Sequence, residues 1–413
     1  MKSRLFSVVF ISILLLMALS PFVLAAEKEV LSFSSRLWSP PAEQEFIIEY
    51  VIKPFEEENN CIVNFQILDD KKLLERAELQ LKTDHPTMDI VCAYVANMPE
   101  WIEEEYVEDL TSYVKSWDDR HFSPTFEYGT NFEGKQYFIP VGADVYLTIA
   151  NKKAVKYLPS GVDLDNLTWE DFAKWSNAIA KGEGEGKTVV TGIPMKSLVY
   201  QFGAISLSYG ATFPDINTPE AIKAWEIMVS MKDDFIPAVL NVDNCVAPMK
   251  REEAWFSWMH CARAGQVYSA NPANFVVAPV PEGPAGIGSI AGVSGYGILK
   301  NAPHKELAIK FLEYITRPDM QVKIAKGTGG FIPPVEEALN YLGDDPEDEV
   351  VAKAVMVLSK GRVSGVPGGD YQDWGAVKKV FDDVFVEMVL NGDGTVDKAL
   401  LDEAQAKLDA LRK

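Results

Sequence analysis

Short β-rich apolar runs alternate with longer amphipathic ones along this 413-residue chain, the signature of an α/β protein with largely parallel sheets. Residues 30–34, 61–67 and 88–93 read as strands and residues 42–59 and 71–82 as the helices between them, so the first 95 residues spell βαβαβ. In the first helix Phe46, Ile47, Tyr50, Val51 and Phe55 recur at three- and four-residue steps, with Pro54 predicting a kink or an early end. Residues 137–149 read as one strand, 275–281 as a short strand closed by a Pro-rich breaker, and 303–316 as a helix stopped near Pro318. Thr168 and Thr218 are placed to cap helices, with Asp171 in the capping-box position. Residues 391–395 resemble a calcium loop only superficially, because Val396 stands where an EF-hand needs Gly; they read as a turn, with Thr395 capping the last helix.

The amino terminus breaks this pattern. Lys2 and Arg4 precede an apolar run over residues 5–19, and small residues end at Ala25 and Ala26 before Glu27. That is a secretory signal peptide, expected over residues 1–25. No Cys lies near the cleavage point, so lipid attachment is not expected and a periplasm is the expected address. Four cysteines, Cys61, Cys92, Cys245 and Cys261, then sit in a compartment that permits disulfides. Sequence leaves their pairing open. Cys245 and Cys261, nearest to each other, are the favoured pair, while Cys61 and Cys92 lie in apolar runs that suit buried thiols.

The length argues for two domains at about 100–200 residues each. Asp and Glu exceed Lys and Arg by 60 to 39, a net charge of −21, which excludes nucleic acid as a partner of the surface at large. No CxxC is present and the four His are scattered, so neither a metal nor a cofactor is expected. GxSxG and HExxH are likewise missing, which leaves a two-carboxylate glycosidase as the enzymatic alternative. More distinctive are nine Trp, several at predicted strand ends or loops: Trp38, Trp255, Trp258 and Trp374. Flat aromatic faces ringed by carboxylates and amides suit the C–H faces and hydroxyl rim of a sugar.

A series of short motifs supports the same reading: PTMDIV at 86–91, YVEDLT at 106–111, FEGKQYFIP at 132–140, NKK at 151–153 and LTWEDF at 167–172. Further on come YGATF at 209–213, VVAPVPEGP at 276–284, GVSGYGI at 292–298, ELAIKFL at 306–312 and GTVDKAL at 394–400. In this order the chain resembles the extracellular solute-binding proteins of bacterial ABC importers, in their maltose-binding-protein-like branch. The resemblance implies a two-lobed α/β periplasmic-binding-protein fold of the class II type, each lobe a mixed, mainly parallel sheet flanked by helices, joined by hinge strands. It places residues 26–140 and 281–345 in the first lobe and 141–280 and 346–413 in the second. It further implies a non-enzymatic, monomeric receptor that closes on a carbohydrate, of oligosaccharide size, and hands it to the importer's permease subunits. A polyamine or other non-sugar solute in the same fold is the alternative ligand.

Carried over position by position, the ligand-binding residues are Trp38, Tyr94, Asn97, Asp144, Ser197, Tyr200, Trp258, Gly292, Ser294 and Trp374. For the stacking Trp258, Trp255 and His260 are the alternatives in a shifted register. The chain departs from its sugar-binding relatives at Ala96 and Asn97, where those often carry Asp and Arg.

Overall fold

A computed structural model describes residues 28–122, 126, 130–192, 197–329 and 331–413. The leader read at residues 1–25 lies outside them. The βαβαβ start forms as β1 (Val30–Ser35), α1 (Pro41–Ile47), α2 (Lys53–Asn59), β2 (Ile62–Ile67), α3 (Asp70–Leu81) and β3 (Ile90–Tyr94). Pro54 neither ends nor breaks the first helix: α1 runs into α2 through a π-helical stretch, Ile48–Ile52. A proline cannot bond the carbonyl four residues back, and widening the preceding turn accommodates the gap.

The run at 137–149 is two strands, β4 (Ile139–Asp144) and β5 (Tyr146–Asn151). Next come α4 (Trp169–Glu183), α5 (Leu198–Ser208), β6 (Phe256–His260), α6 (Cys261–Ala270) and β7 (Phe275–Pro279). The Gly-rich stretch that follows forms β8 (Gly286–Ile290) and β9 (Gly292–Ile298). The chain closes with α7 (Lys305–Ile315), α8 (Pro318–Gly327), α9 (Pro346–Lys360), β10 (Arg362–Ser364), α10 (Trp374–Val384) and α11 (Lys398–Leu411). Pro318 opens α8 at its first turn, where a missing N–H costs nothing. Thr168 caps α4 as expected, accepting from the Asp171 N–H at 3.1 Å and donating to its carboxylate at 2.8 Å. The cap of α11 is Asp397 rather than Thr395, whose N–H and hydroxyl are both taken by Asp393.

The first lobe is built on a five-stranded sheet in the order β2-β1-β3-β9-β4. Its first three strands are parallel, and β9 runs antiparallel to both β3 and β4. In the second lobe β6-β5-β7 is antiparallel throughout, and β8 pairs in parallel with β10. The sheets are therefore mixed, with parallel pairing dominant in neither lobe. The chain changes sheets at Val145, between β4 and β5, and at Ala291, between β8 and β9. These switches correct the boundaries read at 140 and 281: residues 282–290 pair with the second lobe and β4 belongs wholly to the first. At the first switch Gly142 adopts φ 149°, and a Cβ there would lie 2.6 Å from the Ile332 carbonyl oxygen. Glycine is required because Ile332 bonds across to Ala143 through both of its backbone groups, at 2.9 and 3.2 Å.

Each lobe has its own aromatic core. Phe33, Tyr296 and Phe311 meet in the first, with the Tyr296 and Phe311 ring centroids 6.0 and 5.4 Å from that of Phe33. In the second, Phe172 stacks on Phe256 at 4.1 Å and meets Trp258 edge-on at 5.4 Å. Among the described residues no helix is long and apolar enough to cross a membrane.

Candidate functional site

Strands β1, β3 and β4 all end at one edge of the first sheet, and β6 ends opposite them. Ligands in open α/β sheets sit beyond the carboxyl ends of such strands, and here those ends enclose a cavity of about 470 Å³ between the lobes. The first lobe contributes Arg36 and Leu37 after β1, Asp70 at the start of α3, Tyr94, Ala96 and Asn97 from β3 onward, and Gly292 and Ser294 on β9. Asp144 stands at the switch, and Phe331 also lines the cavity. From the second lobe come Ser197, Tyr200, His260, Gly368, Trp374 and Lys378.

Aromatic rings face the space from both sides. The indole N–H of Trp374 donates to the Tyr200 hydroxyl at 2.8 Å, and their centroids are 6.4 Å apart at 31°. Phe213 and Tyr371 pack around the same indole, at 6.3 and 5.5 Å. Across the cleft the Arg36 guanidinium lies 4.5 Å over the Tyr94 ring. Burial raises Tyr94 well above its usual range and pushes Tyr200 up to about 12, so both present neutral hydroxyls.

Asp144 is fixed by its surroundings. Its Oδ1 accepts from the Cys261 thiol at 3.0 Å and the Ala262 N–H at 3.3 Å. Its Oδ2 is 3.2 Å from Nδ1 of His260, close in charge terms but not aligned as a hydrogen bond. The other nitrogen of His260 pairs with the Tyr146 hydroxyl at 2.9 Å. Burial pushes the Asp144 carboxyl up, but His260, the thiol and the N–H outweigh it and hold the group below the ordinary carboxylate range. A carboxyl depressed on folding stabilises the fold at every pH above its unfolded value, and that stability is lost as pH falls through the folded value. Asp144→Asn should therefore flatten the acid limb of stability. Below about pH 4 the parent's melting temperature falls more steeply than the variant's; parallel curves would show that the carboxylate is not held in this way.

Eight of the ten sequence-predicted residues line this one cavity: Tyr94, Asn97, Asp144, Ser197, Tyr200, Gly292, Ser294 and Trp374. Trp38 does not. It is 3% exposed, turned into the first lobe's core by a left-handed backbone (φ 63°), and packs against Phe33, Phe65 and Tyr296. Trp258 does not either. It points to the same face of β6 as His260 but two residues deeper, under α4 and α5, with its N–H on the Gln201 carbonyl at 3.0 Å. His260, at the strand's end, reaches the cleft instead. Trp255 packs near Lys153 and Lys187, away from the cavity. The favoured Cys245–Cys261 disulfide is absent: all four cysteines are free and buried, Cys261 turned to Asp144 and Cys245 3.7 Å from the Thr191 hydroxyl.

Arg36, Asp70 and Lys378 were not singled out by the sequence. In an acidic chain they read as ordinary solvated charges, although Arg36 and Asp70 stand where a strand ends and a helix begins. Among the described residues no group of three His, Cys, Asp or Glu could hold a metal ion.

A binding protein of Brucella abortus (strain 2308) is 24% identical over 380 residues, covering 88% of this chain and 89% of that one. Among solved structures, T. maritima MalE3 bound to maltose superposes with a TM-score of 0.72 at 18% identity, covering 92% of this chain and 99% of the other. UgpB of Mycobacterium tuberculosis, in complex with glycerophosphocholine, does so at 0.71 and 17%, covering 93% and 98%. Both share the two-lobed fold. The family model of the bacterial extracellular solute-binding proteins matches residues 50–355. These are binding proteins, which sets the glycosidase reading aside, and by that match over most of its length the chain belongs to the bacterial extracellular solute-binding proteins.

Proposed function

We propose that the protein captures a carbohydrate, of oligosaccharide size, between its lobes in the periplasm and delivers it as a monomer to the permease of an ABC importer. The observation that carries this is the cavity's lining: Trp374 and Tyr200 on one lobe face Tyr94 on the other, with hydroxyls, an amide and carboxylates around them. Aromatic faces take the C–H surface of a sugar ring, and the polar rim takes its hydroxyls. The volume lies within the roughly 300–1,000 Å³ of small-molecule sites. A ligand that touches both lobes shifts the population toward the closed arrangement, and closure by hinge motion at Val145 and Ala291 follows. Maltose in T. maritima MalE3 supports the ligand class.

A polyamine fits less well. It needs carboxylates converging on a cation, whereas Asp70 faces Arg36 and Asp144 faces His260.

Mature protein freed of co-purified ligand by unfolding and refolding should gain stability with a set of related sugars. A ligand at about 100 times its dissociation constant adds roughly 2.7 kcal/mol, read as a rise in melting temperature. Trp374→Ala should weaken the responding sugar about tenfold or more, the loss of one stacked aromatic face. A shift with polyamines alone, or full affinity in Trp374→Ala, overturns this reading.

A further inference from the structure

One basic group in the cleft lacks the partners its chemistry calls for. The Arg36 side chain is 30% exposed; its Nε lies 3.3 Å from Asp70 Oδ1, a charge contact rather than an aligned hydrogen bond, and its guanidinium sits over Tyr94. No described residue accepts a hydrogen bond from that guanidinium, which carries five N–H donors in a planar fork. Opposite, one turn into α10, Lys378 holds its ammonium 5.4 Å over the Tyr200 ring. The two cations act on a shared space: burial raises the pKa of Asp70 and of Tyr200, and against it Arg36 and, from the far wall, Lys378 work on Asp70, while Arg36 works on Tyr200. In a chain of net charge −21, the described residues lining the cavity nonetheless set two cations against two carboxylates. One of those carboxylates, Asp144, is already occupied by Cys261, Ala262 and His260.

We infer that the solute carries an anionic group, a carboxylate or a phosphate, seated between Arg36 and Lys378 while its sugar ring lies against Trp374 and Tyr200. This rests on the reading of the cleft as a carbohydrate site. Asp70 lies 3.3 Å from Nε, and the two terminal nitrogens donate to no described residue, so they can grip two oxygens of one anion. A neutral hydroxyl can take one of those donors but cannot answer the charge. Because the two cations belong to different lobes, an anion between them also contributes to closure.

The test is calorimetric titration of the ligand-free protein with a matched series: neutral oligosaccharides, their uronate counterparts, sugar phosphates, and orthophosphate alone. An anionic sugar should bind about tenfold or more tightly than its neutral counterpart, and raising the salt should erode that margin. Whether the uronate or the phosphate leads identifies the anion. Arg36→Gln and Lys378→Met should each lower the ratio of anionic to neutral sugar affinity about tenfold. Neutral sugars binding as tightly as anionic ones, or an anionic affinity untouched by Arg36→Gln, overturns the anion seat and leaves the carbohydrate reading standing. Orthophosphate matching the sugar phosphate supports the seat and removes the carbohydrate reading instead.

Discussion

Trp258→Ala should cost about 3–5 kcal/mol of folding stability, the range for deleting a large aromatic from a packed core. The side chain is 0% exposed, edge-on to Trp169 at 5.6 Å and to Phe172 at 5.4 Å. It is also bound to α5 in two directions: its N–H donates to the Gln201 carbonyl at 3.0 Å, and the Gln201 amide donates to the Trp258 carbonyl at 2.7 Å. Truncation leaves a cavity and strips an acceptor of its buried donor, and the two losses add. The measurement is the urea midpoint of the ligand-free variant against that of the parent. Ligand affinity of the folded variant should stay within about threefold, because His260 and Trp374, not Trp258, reach the cavity. A variant of parental stability that no longer binds would return Trp258 to the cleft.

The contrast between Trp258 and Trp374 shows which parts of the site were legible in the sequence. A residue just past a strand end is readable, because the strand's apolar run marks where it stops, and Tyr94 and Asn97 follow the strand read at 88–93; Asp144, inside the run read as one strand, came from the family resemblance alone. Depth along a strand is not. Trp258 and His260 share a face by the two-residue period, and only the helices laid over β6 decide which one is covered. Trp38 was misplaced for a local reason, a left-handed backbone that no pattern of apolar residues announces. The change of sheet at Val145 was hidden because both strands beside it are buried, so the residues from 137 to 149 are mostly apolar on both sides of Asp144. Pairing of Cys245 with Cys261 was inferred from nearness in sequence, yet the Cys261 thiol turns to a carboxylate 117 residues away. Arg36 and Lys378 escaped notice because a charged residue on an acidic chain carries no periodic signal, and only the fold shows that they face one another.

Gly265→Ala is expected to lower ligand affinity about tenfold to a hundredfold through the way the lobes meet, with no change at the cavity wall. A Cβ on Gly265, in α6 of the second lobe, would lie 2.0 Å from the carbonyl oxygen of Gly329, just beyond α8 in the first. Gly329 is itself in the left-handed region (φ 100°), and its own Cβ would stand 2.4 Å from the Ala262 carbonyl oxygen. The obstruction is backbone against backbone, so no rotamer change relieves it, and the lobes must part locally. On the same helix Arg263 and Gln266 each reach Glu43 of α1 at 3.0 Å, and that carboxylate, 8% exposed, is an anchor between the lobes. A wedge at Gly265 loosens both contacts. Small-angle scattering of the sugar-saturated variant should give a larger radius of gyration than the saturated parent, at nearly parental melting temperature. Glu43→Gln, which keeps the shape and removes the charge, should weaken binding by less, since the glycine contact remains. Parental affinity and size in Gly265→Ala would mean that the lobes do not close along α6. Closure would then have to rest on the contact beside the ligand itself, where a Cβ on Gly368 would approach Ala96 to 3.2 Å.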